Sequence, residues 1–361
     1  MKGLKIFNTL ENYTKEQLGW NTFFQQQDTQ GFQVGRVIAA HKHHYDIILP
    51  EKGTFKGQLI GKLLFMADTP SELPKTGDWV LISPMDEQEV LIHEVMERET
   101  MFSRRSAGAS GSEQVICTNL QTLFIVQSLN ENFSPRRLER YITQAYSSQV
   151  KPVVILHKAD LVADIEPYLD QLKEIQQDLS IVVTSIVDGR GVKEIQSMIT
   201  EGMTFAFVGS SGVGKSSLIN SLLGSQQQVT QEVSHYDSKG KHTTVSRELL
   251  FLPEGGILVD TPGMREFGVT ADEEGLQKSF YEVSELAEHC RFKHCTHMHE
   301  PDCAVLQGVA EGKISEDRYQ SYLKLQREAE HYQMSNHEKR KKQKQFGKMV
   351  KEVVKQKKNR R

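Results

Sequence analysis

Residues 204–223 read TFAFVGSSGVGKSSLINSLL, and the fold class follows from them. Thr204 and the four apolar or aromatic residues Phe205 to Val208 read as a buried strand. Gly209-Ser-Ser-Gly-Val-Gly214-Lys215-Ser216 then completes a GxxxxGKS loop, and the apolar spacing that follows predicts a helix over 215–223. Strand, glycine loop and helix in that order form a phosphate cradle. The glycines let backbone N–H groups converge on phosphate oxygens, the helix amino terminus adds its dipole, Lys215 neutralises the β/γ-phosphates, and Ser216 offers a hydroxyl to Mg²⁺. Ser210, Ser211, Gly212, Val213 and Ser217 complete the loop and the first turn.

Downstream, Asp260-Thr-Pro-Gly263 follows the strand GGILVD (255–260), where a phosphate-sensing aspartate belongs. Asp260 is expected to hold Mg²⁺ through water and the Gly263 N–H to meet the γ-phosphate. Between the two boxes lies SKGKHTTVSREL (238–249), which places Thr243 or Thr244 to close over Mg²⁺. Upstream, PVVILHKADL (152–161) ends a strand with Lys158-Ala-Asp160. The Asp160 carboxylate can accept from the N1 and N2 donors of guanine, whereas adenine lacks both, and a buried carboxylate left unpaired penalises ATP. Ser185, at the end of SIVVTS (180–185), is placed to support the guanine O6 side. The nucleotide is therefore expected to be GTP.

The surrounding pattern alternates strands and helices: TLFIVQSL, a helix from about 135 to 149, PVVILH, a helix around 165–177, SIVVTS, TFAFVG, RELLFLP and GGILVD. This predicts an α/β domain with a mainly parallel sheet over 115–268. Ahead of it, QVGRVIAA, YDIILP, QLIGKLLF, DWVLIS and EVLIHEV are read as five short strands, a small OB-type barrel over 31–100. Residues 1–30 form a polar, Gln-rich extension without recognisable chemistry, and RRSAGASGSEQ (104–114) reads as a polar linker. Past Gly268 the chain turns helical.

Three of the four cysteines crowd into 290–303. Cys290, Cys295 and Cys303 with one imidazole make the donor set of a closed structural Zn²⁺ site, with His289, His294, His297 and His299 as alternatives for the fourth ligand. Cys117 stands alone and reads as a small packed hydrophobe. The 361 residues are 38% hydrophobic and 25% charged, ordinary for a globular chain, with no apolar run of membrane-spanning length. No targeting pattern opens the sequence, so a cytoplasmic location is expected. The net charge of −3 hides a basic tail, KRKKQKQFGKMVKEVVKQKKNRR (339–361), suited to nucleic-acid phosphates.

The order of boxes is base, phosphate, first switch, second switch, whereas Ras-like GTPases place the base box last. Together with the barrel and the Cys/His cluster, this order resembles the ribosome small-subunit-dependent GTPase A family over about residues 33–330. The resemblance rests on Lys158/Asp160, Gly209–Ser217, Lys239-Gly-Lys-His-Thr-Thr244, Asp260–Gly263 and Cys290-x4-Cys295-x-His297-x5-Cys303. It implies an OB-type barrel, a circularly permuted GTPase domain, and a helical zinc subdomain over 269–335 followed by the basic tail over 336–361. It further implies His297 as the fourth zinc ligand, and GTP hydrolysis to GDP that is slow alone and raised by the small subunit. A role in late maturation of that subunit, contact with its rRNA, a monomeric state and no membrane partner belong to the same expectation.

Two departures stand out. His157 occupies the place of the usual asparagine in the base box, which predicts weaker affinity or looser selectivity. Met264 occupies the place of the water-orienting glutamine of Ras-like enzymes, and His242 in the first switch is the candidate to replace it. Two rival classes fit the phosphate loop by itself. An ATP-using metabolic kinase is disfavoured by Lys158-Ala-Asp160, and a GTP-binding RNA-associated module with little turnover is separated by assay.

Overall fold

The computed structural model describes residues 12–105, 113–176, 178–223, 247–253, 255–260 and 272–333. His242, Thr243, Thr244, Gly263, Met264 and the basic tail lie outside the described residues. The chain divides into two compact units, Met1–Gly268 and Val269–Arg361.

The first unit opens with a short helix, α1 (Thr22–Gln25), capped by the Asn21 side chain, which accepts from the backbone N–H of Phe23 and Phe24. β1 (Gln33–Ala40), β2 (Tyr45–Leu49), β3 (Gly53–Leu59), the helix α2 (Gly61–Met66), β4 (Trp79–Pro84) and β5 (Glu89–Val95) follow. β1 pairs with both β2 and β4, and β3 pairs in parallel with β5, so the five strands close in the order β1-β2-β3-β5-β4-β1. This is the expected barrel, closed around Val37, Ile47, Leu49, Val80, Ile82, Val90 and Ile92. One strand differs from expectation. The run QLIGKLLF straddles the end of β3 and the start of α2, because Leu59 is the last ladder residue and the chain then turns at Gly61 into a helix whose Leu64, Phe65 and Met66 are exposed.

β6 (Met101–Arg105) and β7 (Glu113–Thr118) form an antiparallel pair, with Arg104 opposite Gln114 and Arg105 opposite Glu113. Both ends of the expected linker are therefore strand residues, since cross-strand pairing, invisible in a locally polar sequence, overrides composition. The nucleotide-domain elements follow: β8 (Thr122–Ser128), α3 (Pro135–Ser147), β9 (Lys151–His157), α4 (Glu166–Ile175), β10 (Ser180–Thr184), α5 (Val192–Met198), β11 (Thr204–Val208), α6 (Lys215–Leu223), β12 (Glu248–Phe251) and β13 (Ile257–Asp260). Their sheet order is β10-β9-β8-β11-β13-β12, parallel except for β12. The chain enters this sheet at β8 and reaches the phosphate-loop strand β11 only after β9 and β10. That is the permutation read as a topology.

Barrel and nucleotide sheet are one structure. β1 pairs with β12 at Ala39 and Glu248, which joins all eleven strands, and one apolar core runs from Ile38, Ile48 and Trp79 to Leu123, Ile125 and Ile142. This core is shared by the two halves, beside the barrel's own interior. The amino-terminal extension also contributes to it: Leu18, Trp20 and Phe24 are buried, and Trp20 meets Trp79 edge-on with centroids 4.8 Å apart. Arg36 is buried at the junction. Its guanidinium donates to the Leu18 carbonyl, the Gly77 carbonyl at 3.3 Å and Thr204 Oγ1 at 2.8 Å, tying extension, barrel and the root of β11 together. Burial pushes its pKa down to about 10, which leaves it charged at neutral pH.

The second unit contains α7 (Glu273–Ser279), α8 (Tyr281–Ala287), α9 (Ala304–Ala310) and α10 (Glu316–Gln333) around Leu276, Phe280, Val283, Val305, Ile314 and Leu323. Asp272 caps α7 by accepting from Gly275 N–H at 2.7 Å. Among the described residues, no helix is long and apolar enough to cross a membrane.

Candidate functional site

Parallel strands that point one way end at one edge of their sheet, and in α/β folds ligands bind beyond that carboxyl edge. Here the edge carries His157 at the end of β9, Thr184 at the end of β10 with Ser185 after it, Gly209 directly after β11, and Asp260 at the end of β13. Segments far apart in sequence thus meet in one place. Gly209, Gly212 and Gly214 adopt φ of 144°, 77° and 103°, which wrap the loop so that α6 begins at Lys215. The Lys215 ammonium lies across the loop, donating to the carbonyls of Gly209 at 2.7 Å and Ser210 at 2.8 Å. Val213 is fully buried beneath it, and Ser216 and Ser217 occupy the first turn of α6.

The base-box residues touch the phosphate loop directly. Lys158, held at φ 62°, donates from Nζ to the Gly212 carbonyl at 2.7 Å. His157 is buried, its Nδ1 is 2.9 Å from Thr184 Oγ1, and a Cβ added to Gly214 would fall 2.3 Å from its Cδ2. The imidazole therefore fills the space beside Gly214, and burial, then the charge of Lys158, push its pKa down so that it stays neutral at pH 7. Asp160 is exposed rather than buried, because it follows the strand end in a single 3₁₀ turn. Its Oδ1 accepts the Ser185 hydroxyl at 2.7 Å, and Ser185 Oγ in turn accepts from Val187 N–H at 3.1 Å. Ser185 is thus seen as the support of Asp160. Asp260 closes β13 opposite Glu248 of β12, and burial, then that neighbouring negative charge, push its carboxyl up. Two facing carboxylates make a charge pattern that a divalent cation relieves.

Sequence reasoning missed two residues at this edge. Thr184 anchors His157, and Arg137, in the first turn of α3, donates to the Ser210 hydroxyl of the loop. Neither lies in a motif. Arg137 had one local signal: Ser134-Pro135 predicts a helix start, and the Ser134 side chain does cap that turn.

In the second unit, Cys290, Cys295, His297 and Cys303 bring their ligand atoms within 4.8 Å of one another. Cys290 and Cys303 sulfurs are 3.8 Å apart, and His297 Nδ1 is 3.6 Å and 3.5 Å from them. A tetrahedral ion with bonds of about 2.3 Å to sulfur and about 2.05 Å to nitrogen would space its ligands by about 3.8 Å (S–S) and about 3.55 Å (S–N). The donors fit zinc in both type and spacing. Of the four histidines in this segment, the structure brings His297 to the thiols. Its φ of 59° is held by the loop around it, where the Tyr319 hydroxyl donates to its carbonyl at 2.6 Å. Glu300 accepts from the Thr296 hydroxyl and from the N–H groups of Thr296 (2.9 Å), Met298 (3.1 Å) and His299 (3.1 Å). These bonds, Thr296 foremost, hold its carboxyl well below the usual range.

Comparison with known proteins places this architecture. The family model described as RsgA GTPase matches residues 95–270, and one described as 50S ribosome-binding GTPase matches 204–350. The chain is 41% identical over 353 residues to the small ribosomal subunit biogenesis GTPase RsgA 1 of Bacteroides thetaiotaomicron, covering 97% of this chain and 99% of the relative. RsgA 2 of Vibrio vulnificus is 40% identical over 346 residues, 94% of this chain and 95% of that one. Among solved structures, YjeQ from Thermotoga maritima matches with a TM-score of 0.61 at 24% identity, covering 82% of this chain and 98% of its own. YloQ, a circularly permuted GTPase, matches at 0.60 and 23%, covering 86% and 99%. The two structures share the fold, and the relatives' identity over nearly the whole length carries the assignment: the chain belongs to the RsgA GTPase family and is a GTP hydrolase.

Proposed function

We propose that this chain binds GTP at the carboxyl edge of its parallel sheet, hydrolyses it to GDP and phosphate under stimulation by the small ribosomal subunit, and acts late in that subunit's maturation. The observation that carries the reading is the contact between base box and phosphate loop, Lys158 Nζ to Gly212 and the His157 ring against Gly214, in a chain whose relatives are named small ribosomal subunit biogenesis GTPases.

Asp160 accepts guanine N1–H and N2–H, and Ser185 holds that carboxylate in place. His157 and Lys158 fix the loop, whose backbone N–H groups from Gly209 to Ser216 meet the phosphates while the Lys215 ammonium turns from the Gly209 and Ser210 carbonyls to the β/γ oxygens. Ser216, Thr244 and Asp260 are the residues that would hold Mg²⁺, which supplies charge neutralisation to the β- and γ-phosphates when bound with GTP. The Gly263 N–H meets the γ-phosphate, and His242 orients the attacking water that Met264 cannot orient. Cys290, Cys295, His297 and Cys303 hold one structural zinc, a four-donor set that leaves no open position for substrate. The tail over 339–361 adds salt-sensitive attraction to rRNA phosphates. A cytoplasmic monomer fits this role.

The test is GTP turnover at fixed salt with and without small ribosomal subunits, beside an ATP control and Lys215→Ala. GTP-specific stimulation lost in Lys215→Ala supports the reading. Measurable GTP binding with no stimulation replaces it with a GTP-binding RNA-associated module.

A further inference from the structure

We propose that His41, His44 and Asp46 form a second metal site, at the β1–β2 hairpin, which takes one divalent transition-metal ion independently of the cysteine cluster. β1 ends at Ala40 and β2 begins at Tyr45, and the His41 N–H donates to the His44 carbonyl at 2.9 Å, so the turn sets the two histidines side by side. Their rings stack with centroids 4.4 Å apart and 21° between planes. Asp46, the second residue of β2, is buried beneath them. Its Oδ2 lies 2.9 Å from His41 Nε2 and its Oδ1 3.9 Å from His44 Nε2.

Donor atoms bonded to one ion at about 2.0–2.2 Å and tetrahedral angles stand about 3.4 Å apart. One ligand atom from each residue lies within 4.8 Å of the others, and the two separations, one to each Asp46 oxygen, lie on either side of about 3.4 Å, so rotation of side chains on a fixed hairpin brings one atom of each residue onto one ion. The ion takes the place of the His41 Nε2–Asp46 Oδ2 hydrogen bond, with His41 as the Nδ1–H tautomer, and takes up the His44 lone pair as well. Two imidazoles and a carboxylate suit Zn²⁺, Co²⁺, Ni²⁺ or Cu²⁺ rather than Mg²⁺ or Ca²⁺. Lys56 stands opposite Asp46 on β3 and pairs with Oδ1. It orients the carboxylate while competing for its charge. Three protein ligands leave an open coordination position, unlike the closed cysteine set.

The test uses the full chain with its cysteine cluster already holding zinc. Equilibrium dialysis against zinc should give a second equivalent per chain, and Co²⁺ added to the same protein should give a ligand-field spectrum without thiolate charge transfer. His41→Ala/His44→Ala should lose both signals, and Asp46→Asn, which keeps the side-chain shape, should weaken binding by about tenfold or more. Lys56→Gln should tighten it. A single equivalent in the parent chain, a second equivalent undiminished in Asp46→Asn, or a thiolate charge-transfer band on adding Co²⁺ would each overturn the assignment.

Discussion

Replacing Asp160 by asparagine tests base readout at its one charged contact. In the proposed complex the carboxylate accepts two hydrogen bonds from guanine, each involving a charged acceptor and worth about 1.5–3 kcal/mol. Asparagine keeps one acceptor but turns an N–H₂ toward the second guanine donor. The two bonds sum to about 3–6 kcal/mol; Asp160 is exposed, so water offsets part of the loss and leaves about 2–4 kcal/mol, or roughly 30- to 1,000-fold in Kd for GTP. Xanthine carries a carbonyl where guanine carries the N2 amine, so the same amide donates to it and XTP should gain affinity. The side chain stays in place, since the Ser185 hydroxyl, 2.7 Å from Oδ1, can donate equally to an amide oxygen. The assay is a titration with GTP and with XTP at fixed salt, beside a melting curve to confirm the fold. A GTP affinity changed by less than about threefold, or a parallel loss of both nucleotides, would refute the assignment of Asp160 to the base.

Gly214→Ala should abolish tight GTP binding, because the added Cβ meets the His157 ring at 2.3 Å and φ is 103°. The double variant Gly214→Ala/His157→Ala removes the ring but not the backbone strain of about 1–3 kcal/mol, so its affinity should stay below that of His157→Ala alone; full recovery in a titration contradicts this. His157 also predicts a pH dependence. Its folded pKa is depressed below the ordinary 6.5, so the unfolded chain takes up the proton first, and stability contributed above pH 6.5 falls as pH drops through that value. Urea midpoints across this window should show the fall in the parent chain and a smaller one in His157→Asn. Cys303→Ser should lose one zinc per chain and unfold the second unit, metal-linked folding being worth on the order of 10 kcal/mol, and metal analysis with circular dichroism reads both. Cys117, buried with its thiol pushed up to about 12, should not react with a thiol reagent at neutral pH until the protein unfolds; a fast native reaction counts against that burial.

Local elements, and the chemistry strung along them, are legible in the order of residues alone. β1, β8 and α6 have the ends that their hydrophobic pattern predicts, within a residue, and GxxxxGKS, Lys158-Ala-Asp160, Asp260-Thr-Pro-Gly263 and the Cys/His cluster are legible as residue types at fixed spacing. Such signals are local, because helix and strand periods and ligand spacings involve residues a few positions apart. The run QLIGKLLF shows the limit even there, since a short apolar stretch suits strand and helix alike until its neighbours pair. The remaining features depend on residues brought together from far apart. Ala39 pairs with Glu248 and merges two apparent domains into one sheet, Leu18 and Trp20 complete a core from an unremarkable polar extension, and Arg104 and Arg105 find strand partners inside a linker. At the site itself, tertiary packing set the His157 ring against Gly214, put Arg137 on Ser210 and left Asp160 in the open. Burial and hydrogen-bond satisfaction are properties of the whole packed chain, so no window of sequence contains them.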